Sequence, residues 1–172
     1  ESRTWGGVWV VGGGRGGEKR CGEERGVEAQ SKRPGVKTQF TDLARHLCGP
    51  LQTNKVKEAV ALFGVIQTLD RVKLADALAV ERDKTGKCPR LYLQINTGEE
   101  PQKAGVLPRE TQALIAHART LALPLEGLMC IPPADDDAAP HFAFLATLAS
   151  HPGLAMLSLG LAVIFGLLNG VH

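Results

Sequence analysis

The sequence has few closely spaced cysteines, few aromatic residues and little net charge. Its four cysteines form no Cys-x-x-Cys pair, so a structural zinc site is not expected. Aromatic residues make up 5% of the chain and the formal net charge is +2, which argues against a nucleic-acid partner. No basic segment followed by an apolar one opens the chain, so we expect no secretory signal and a cytoplasmic location.

What the sequence does contain is unevenly distributed. Residues 1–35 hold ten of the 20 glycines, and their low apolar content predicts a disordered N-terminal segment. Residues 36–161 alternate short apolar runs with amphipathic segments, and residues 162–172 form an apolar tail. The uncharged run at residues 154–171 has the length of a membrane span. Glycines interrupt it, however, and a buried parallel strand would explain its beginning, so membrane insertion is not favoured.

The middle segment predicts alternating strands and helices. Short β-branched or apolar runs predict strands at residues 44–48, 65–69, 91–95, 125–131 and 154–158. Amphipathic segments lie between them, and this alternation predicts an α/β fold with a parallel sheet and helical crossovers. A doubly wound sheet and a (β/α)8 TIM-type barrel both satisfy the pattern.

Local signals indicate where several helices begin and end. Asp70 is a favourable N-cap for a helix that Gly86 ends. Three adjacent carboxylates at residues 135–137 come directly before a predicted helix. Interaction with the N-terminal dipole of that helix explains them better than a metal site does. The helix has a predicted apolar stripe of four residues, Phe142, Leu145, Ala146 and Ala149.

Two further patterns bear on function. Residues 12–17 match the GxGxxG dinucleotide fingerprint, but no helix with an apolar stripe follows, so a flexible glycine-rich segment is the better interpretation. No Ser/His/Asp triad or Cys/His dyad is evident from the spacing. Ligands of parallel α/β folds bind at the carboxyl ends of the strands, where the polar residues include His46, Thr68, Asp70, Asn96, Thr97 and Ser158.

Four segments in a row match the sequence patterns of one protein family. Residues 46–55 (HLCGPLQTNK) fit H-x-x-G-x-L-Q-x-N-K, and residues 94–105 (QINTGEEPQKAG) fit its Q-x-N and K-x-G segments. Residues 127–132 (GLMCIP) fit G-L-M-x-I-P, and residues 157–160 (LSLG) fit the start of L-S-M-G-M-S. With these segments in this order, the chain resembles the pyridoxal phosphate homeostasis proteins.

The resemblance implies an alanine-racemase-like (β/α)8 barrel that binds a small-molecule cofactor, pyridoxal 5′-phosphate (PLP). Members of that family have no established catalytic turnover and are thought to buffer or deliver PLP. Carried over by position, the resemblance implies five cofactor-binding residues, His46, Asn54, Met129, Ser158 and Gly160.

Three parts of the family's cofactor site have no counterpart at the expected positions: the aldehyde anchor, a phosphate-binding hydroxyl and a final Arg-Gly clamp. The family's Schiff-base lysine lies on its first strand, whereas the apolar run at residues 8–11 contains no lysine. Lys19 is predicted to lie outside any strand. Alanine and valine at residues 162–163 replace groups that help to hold the phosphate. Lys55 and Lys103 match other family lysines, and we expect both to be solvated.

The sequence therefore predicts an incomplete (β/α)8 barrel, truncated or degenerate at both ends, whose covalent binding of PLP is doubtful. Unpaired sheet edges predict self-association. A racemase-like PLP enzyme is an alternative, but it would need the missing lysine and a second acid/base residue. A third hypothesis is a non-functional or membrane-tethered structural fragment built around the C-terminal apolar run.

Overall fold

The computed structural model of the protein describes residues 9–12, 19–23, 44–133, 136–149, 154 and 156–159. Seven strands lie within them: β1 (Trp9–Gly12), β2 (Lys19–Glu23), β3 (Ala44–Leu47), β4 (Val65–Leu69), β5 (Arg90–Ile95), β6 (Leu125–Cys130) and β7 (Met156–Leu159). Four α-helices alternate with the later strands: α1 (Val56–Leu62), α2 (Val72–Thr85), α3 (Thr111–Thr120) and α4 (Ala138–Leu148). Two short 3-10 turns lead into α1 and α3, at Thr53–Lys55 and Pro108–Glu110.

The strands form one sheet in the order of the sequence, from β1 to β7. β1 is antiparallel to β2, and every later pair is parallel. A doubly wound sheet would reverse its strand order at a switch point, whereas consecutive parallel strands joined by helices build a (β/α) barrel. The predicted parallel sheet with helical crossovers is confirmed, and the strand order selects the incomplete barrel. The antiparallel β1 departs from the all-parallel arrangement of a complete barrel.

The central strands are buried on both faces, which explains their nearly continuous apolar sequences. All five residues of β4 are buried. Successive side chains point to opposite faces of the sheet. The outer set packs with helical side chains in the main core, which includes Leu47, Ile66, Leu91, Leu93, Leu128, Leu74, Leu78, Leu114 and Ile115. The inner set forms a second buried cluster of Val65, Tyr92 and Met129.

The helix ends follow the sequence signals in part. Gly86 ends α2 in the left-handed conformation, with a φ of 68°, as predicted. The N-cap of α2 is Arg71, and no side chain caps that end. The prediction for Asp70 was wrong because its carboxylate instead pairs with the Arg71 guanidinium at 2.5 Å. Asp137 caps α4 by accepting a hydrogen bond from the Ala139 backbone N–H at 3.0 Å.

The predicted apolar stripe of α4 is fully buried at only one position. Leu145 is buried, whereas Phe142 is 41% exposed and Ala146 is also exposed. α4 packs against β6 and β7, so one line of side chains meets the sheet while adjacent positions face outward. The buried part of this helix is therefore narrower than its predicted apolar face. None of the helices within the described ranges has the length and apolar character needed to cross a bilayer.

β1 and β2 lie within residues 1–35, where composition predicts disorder. Lys19 opens β2, so its predicted place outside any strand was wrong. Backbone pairing with a neighbouring strand does not require apolar side chains, which is why composition did not reveal these two strands. The proposed segment boundaries at residues 35 and 161 lie outside the described residues, as does the apolar tail at 162–172, and they stay predictions.

Replacing Gly127 with alanine is expected to destabilise the pairing of β6 with β7. A Cβ atom at Gly127 would lie 2.5 Å from the Met156 carbonyl oxygen, so one of the two strands would have to shift. We expect the free energy of unfolding to fall by about 3 kcal/mol, the upper end for overpacking, in urea denaturation.

The matched control for that substitution is Gly86→Ala. No atom lies within 4 Å of the Cβ position at Gly86, so only its positive φ makes alanine unfavourable there, by about 1 kcal/mol. A loss at Gly127 no larger than the loss at Gly86 would contradict the close approach of β6 and β7.

Candidate functional site

The carboxyl ends of the parallel strands bring a set of polar and sulfur-containing side chains to the inner face. The strand register sets His46 of β3 beside Val65 of β4, and Met129 of β6 beside both Gln94 of β5 and Ser158 of β7. Because paired residues of neighbouring strands point to the same face, these side chains line the inside of the incomplete barrel.

A chain of hydrogen bonds crosses this inner face. The Gln67 side-chain nitrogen Nε2 lies 2.6 Å from Nδ1 of His46, and the Ser158 hydroxyl donates to Oε1 of Gln67 at 2.7 Å. His46 and Gln67 are both buried, at 3% and 6% exposure, while Ser158 is half-buried. Since β5 and β6 separate β4 from β7, the Gln67 side chain spans the interior rather than a neighbouring pair of strands.

Apolar side chains lie beside this hydrogen-bonded chain. Tyr92 meets the His46 ring edge-on, with the ring centroids 6.4 Å apart. Tyr92 also packs with Val65 and Met129, and Met156 contacts that cluster from β7. The inner face thus combines an amide, an imidazole and a hydroxyl with an aromatic ring and two thioethers, a mixture typical of small-molecule sites.

Gln94 contributes an unsatisfied polar atom to the same face. Its Nε2 donates to the Ala104 carbonyl oxygen at 3.2 Å. Its Oε1 is buried and has no hydrogen-bond partner among the described residues. Buried polar atoms in native structures are usually paired, so Oε1 of Gln94 is available to a donor on a bound ligand.

The structure brings together three of the five residues that the resemblance implied. His46, Met129 and Ser158 share the inner face, as described above. Asn54 is exposed on the turn before α1 and does not belong to the hydrogen-bonded chain. Gly160 lies outside the described residues.

Gln67 and Tyr92 are two of the inner-face residues that the sequence prediction did not include. Both lie inside strands, whereas the predicted polar candidates lie at strand ends. The sequence does contain a signal for Gln67. It is a polar carboxamide within β4, whose other residues have the pattern of a buried strand. A buried amide needs partners, and that requirement points to an inward polar cluster.

The two lysines that match family lysines lie outside this cluster. Nζ of Lys55 is 3.7 Å from a Glu58 carboxylate oxygen, on the turn and helix after β3. Nζ of Lys103 is 3.0 Å from a Glu100 carboxylate oxygen in the loop after β5. Both side chains are partly exposed, so each amine is held by a glutamate at the surface.

A second polar chain joins the loop after β5 to α4. The Thr97 hydroxyl lies 2.8 Å from Nδ1 of His141, and Nε2 of His141 lies 3.0 Å from an Asp136 carboxylate oxygen. The His141 hydrogen bond, helped by the Asp137 backbone N–H, lowers the pKa of Asp136. Burial raises the pKa of the Cys130 thiol, although a hydrogen bond with Thr97 acts in the opposite direction.

The described residues contain no group of three or more side chains that could hold a metal ion. The acidic run is described only at Asp136 and Asp137, which bond to His141 and cap α4. Cys88 and Cys130 are free thiols. Cys130 is buried, whereas Cys48 is half-buried.

Comparison with known proteins decides the family. Residues 28–151 match the family described as alanine racemase, N-terminal domain. Curated relatives named pyridoxal phosphate homeostasis protein include one from Haemophilus influenzae, 39% identical over 131 residues, and one from Vibrio alginolyticus, 32% identical over 157 residues. The chain belongs to the pyridoxal phosphate homeostasis protein family.

The chain matches only part of these family members. The matched segments make up 74% and 85% of this chain, and 55% and 67% of the Haemophilus and Vibrio relatives. A relative from Deinococcus radiodurans, 36% identical over 144 residues, is covered to 65%. The chain therefore spans between half and about two thirds of the length of these relatives.

Solved structures confirm the barrel. PipY of Synechococcus elongatus without PLP aligns with a TM-score of 0.66 at 28% identity, over 83% of this chain and 80% of that chain. PipY with PLP bound aligns with a TM-score of 0.65 at 30% identity, over 87% and 74%. An alanine racemase from Clostridium difficile aligns at 0.66 with 15% identity over 84% and 39%, which shows the shared fold.

Acid titration tests the contact between Asp136 and His141. The pKa of Asp136 lies below its ordinary value of 3.8, so the folded chain binds fewer protons at this carboxylate than the unfolded chain does. Its stabilising contribution is fully present above the ordinary pKa and is lost as the pH falls through the lowered pKa. We expect Asp136→Asn to flatten the acid side of a Tm-against-pH profile.

The control for this titration is Asp83→Asn. Asp83 is an exposed carboxylate beside Arg82, and its removal is expected to leave the acid side of the profile close to that of the unmodified chain. An Asp136→Asn profile that coincides with the control would show that the His141 contact contributes nothing to stability.

Proposed function

We propose that this chain binds PLP at the inner-face cluster without a covalent bond and serves to buffer or deliver it. The observation that carries the proposal is the hydrogen-bonded chain from His46 through Gln67 to Ser158, beside Met129. It lies at the carboxyl ends of parallel strands, where barrels of this type bind their ligands. The PLP-bound structure of PipY and the name of the curated relatives support the choice of ligand.

The chemistry of the cluster suits the parts of PLP. Ser158 offers a hydrogen bond to its polar substituents, and Met129 and Tyr92 offer apolar contact to its ring. The unpaired Oε1 of Gln94 would accept a hydrogen bond from a ligand hydroxyl or ring N–H. When bound, PLP supplies an aldehyde that reacts with amines and a phosphate that accepts hydrogen bonds.

The positions of Lys55 and Lys103 support non-covalent binding. An imine requires an amine next to the aldehyde, and Lys55 and Lys103 are paired with Glu58 and Glu100 outside the cluster. A racemase-like reaction would require such an amine together with a second acid/base group. No contact among the described side chains favours that reaction, so a carrier is the better proposal.

Equilibrium dialysis with PLP tests the proposed binding. We expect saturable binding that Ser158→Ala weakens about tenfold or more, because a hydrogen bond to a charged group contributes about 1.5–3 kcal/mol. Borohydride reduction of the complex is expected to trap no adduct at a single lysine.

The control variant for PLP binding is Thr85→Ala, which removes an exposed hydroxyl at the end of α2 and should leave the affinity unchanged. Reduction of the urea-unfolded chain with PLP shows the background reaction of free amines. A borohydride adduct confined to one lysine of the folded chain would overturn the non-covalent proposal, and absence of saturable binding would overturn the ligand.

We further propose that the chain acts in the cytoplasm, independently of nucleic acid, and that it self-associates. β7 lies at one end of the described sheet order, and an unpaired strand edge offers backbone N–H and C=O groups to another chain. The low net charge of +2 gives little electrostatic repulsion between copies and little attraction to nucleic acid.

Sedimentation velocity over a range of protein concentrations tests self-association. We expect the average sedimentation coefficient to rise with concentration, because pairing between sheet edges is a mass-action equilibrium. A single monomer boundary at all concentrations would contradict the proposal.

A further inference from the structure

The hydrogen bonds of Gln67 define where the protons lie in the inner-face chain. Nε2 of a carboxamide is a donor and Oε1 is an acceptor. Because Nε2 of Gln67 faces Nδ1 of His46 at 2.6 Å, that ring nitrogen accepts and carries no proton, so the imidazole is neutral. Because Ser158 donates to Oε1 of Gln67 at 2.7 Å, the hydroxyl proton of Ser158 is directed toward the glutamine.

We propose that Gln67 couples the protonation of His46 to the direction of the Ser158 hydroxyl, so that the site binds a phosphate-bearing ligand more tightly when His46 is protonated. Gln67 is thereby a positioning residue that acts through Ser158. The ligand part of this inference rests on the proposed PLP binding, whereas the coupling itself concerns only the three side chains.

The proposed coupling follows from the donor and acceptor atoms available. When Nδ1 of His46 takes a proton from solvent, it becomes a donor and can no longer accept from Nε2 of Gln67. Rotation of the carboxamide by a half turn presents Oε1 to His46 and Nε2–H to the oxygen of Ser158. The Ser158 hydroxyl then accepts from Gln67, and its proton is free to donate to a ligand.

A phosphate group binds more tightly to one of these two arrangements of hydrogen bonds than to the other. Phosphate oxygens accept hydrogen bonds, so they gain nothing from a hydroxyl whose proton points to Gln67. After the carboxamide turns, the Ser158 hydroxyl donates to the phosphate, and the imidazolium adds an attractive charge. Binding of the phosphate therefore takes up one proton, and the reverse linkage makes bound phosphate favour protonated His46.

Several groups near His46 contribute to the pH at which it titrates. Tyr92 contacts the ring from β5 and is neutral near pH 7. β4 and β7 carry no titratable side chain. By register, β2 sets three charged or titratable residues beside β3, Arg20 opposite Ala44, Cys21 opposite Arg45, and Glu23 opposite Leu47.

Nitrogen NMR of the His46 ring tests the proton positions in the unliganded chain. At a pH above its titration we expect the proton on Nε2 and a bare Nδ1. Gln67→Glu replaces the donor with a carboxylate, which can only accept, so we expect the proton to move to Nδ1 or both nitrogens to stay protonated. Finding Nδ1–H in the unmodified chain above its titration would overturn the inference.

Ligand titrations on the intact chain test the link to phosphate. With PLP or inorganic phosphate, we expect the affinity to fall by up to about tenfold per pH unit above the titration of His46, and we expect pyridoxal, which lacks the phosphate, to show no such fall. Saturating phosphate should also move the NMR titration midpoint of His46 upward. A phosphate affinity that does not change through that range would overturn the coupling.

Two variants separate coupling through Gln67 from simple attraction by the imidazolium. Gln67→Leu removes both hydrogen bonds and should retain only the weak direct attraction, so most of the pH dependence is lost. Gln102→Leu, at an exposed glutamine bonded to Glu100, should keep the full pH dependence of the phosphate affinity. A pH dependence in Gln67→Leu as large as in the unmodified chain would overturn the inference.

A third variant keeps the test decisive where Gln67→Leu fails to fold. Ser158→Ala retains the bond between His46 and Gln67 and should reduce the phosphate-induced shift of the His46 midpoint to the small part that direct attraction by the imidazolium gives. A shift as large as in the unmodified chain would overturn the coupling. If PLP fails to bind at every pH, the proposed function is wrong, while the NMR experiments with inorganic phosphate still decide the inference.

Discussion

Burial of the central strands on both faces is the constraint on which the rest of this structure depends. β4 to β6 must present apolar side chains outward to the helices and a second set of side chains inward. Parallel pairing aligns the carboxyl ends of these strands at one edge, and the alternation of side chains sends every second residue to the interior. His46, Gln67, Met129 and Ser158 meet there because of this register and not because of their separation in sequence.

The inner face carries polar side chains, unlike the outer face, and these side chains are tolerated because they form hydrogen bonds with one another. A glutamine in the middle of a buried strand is unfavourable unless both ends of its amide are paired. Gln67 meets that requirement with His46 on one side and Ser158 on the other. The same arrangement leaves the site responsive, since an amide can exchange its donor and acceptor ends while a purely apolar core cannot.

Much of the fold was predictable from the sequence, and the errors have physical causes. Val65–Leu69 was predicted with its observed bounds, and Gly86 ends its helix as expected, because both signals are local. The prediction of Asp70 as a helix cap was wrong because Arg71 takes the Asp70 carboxylate. The exposure of Phe142 was not predictable because it depends on the narrow contact of α4 with the sheet. β1 and β2 were missed because backbone pairing leaves little trace in composition.

By itself the sequence determined the alternation of strands and helices, the family and the candidates His46, Met129 and Ser158, because these follow from periodicity and from motifs in a fixed order. Periodicity left the barrel and the doubly wound sheet open, and the family resemblance favoured the barrel; the tertiary structure confirms it through the strand order, which is a non-local property. Only the tertiary structure decided that Gln67 bridges β3 and β7, two strands that share no backbone pairing. A side chain that reaches across a barrel interior is placed by the curvature of the sheet, and no local pattern in the chain encodes that distance.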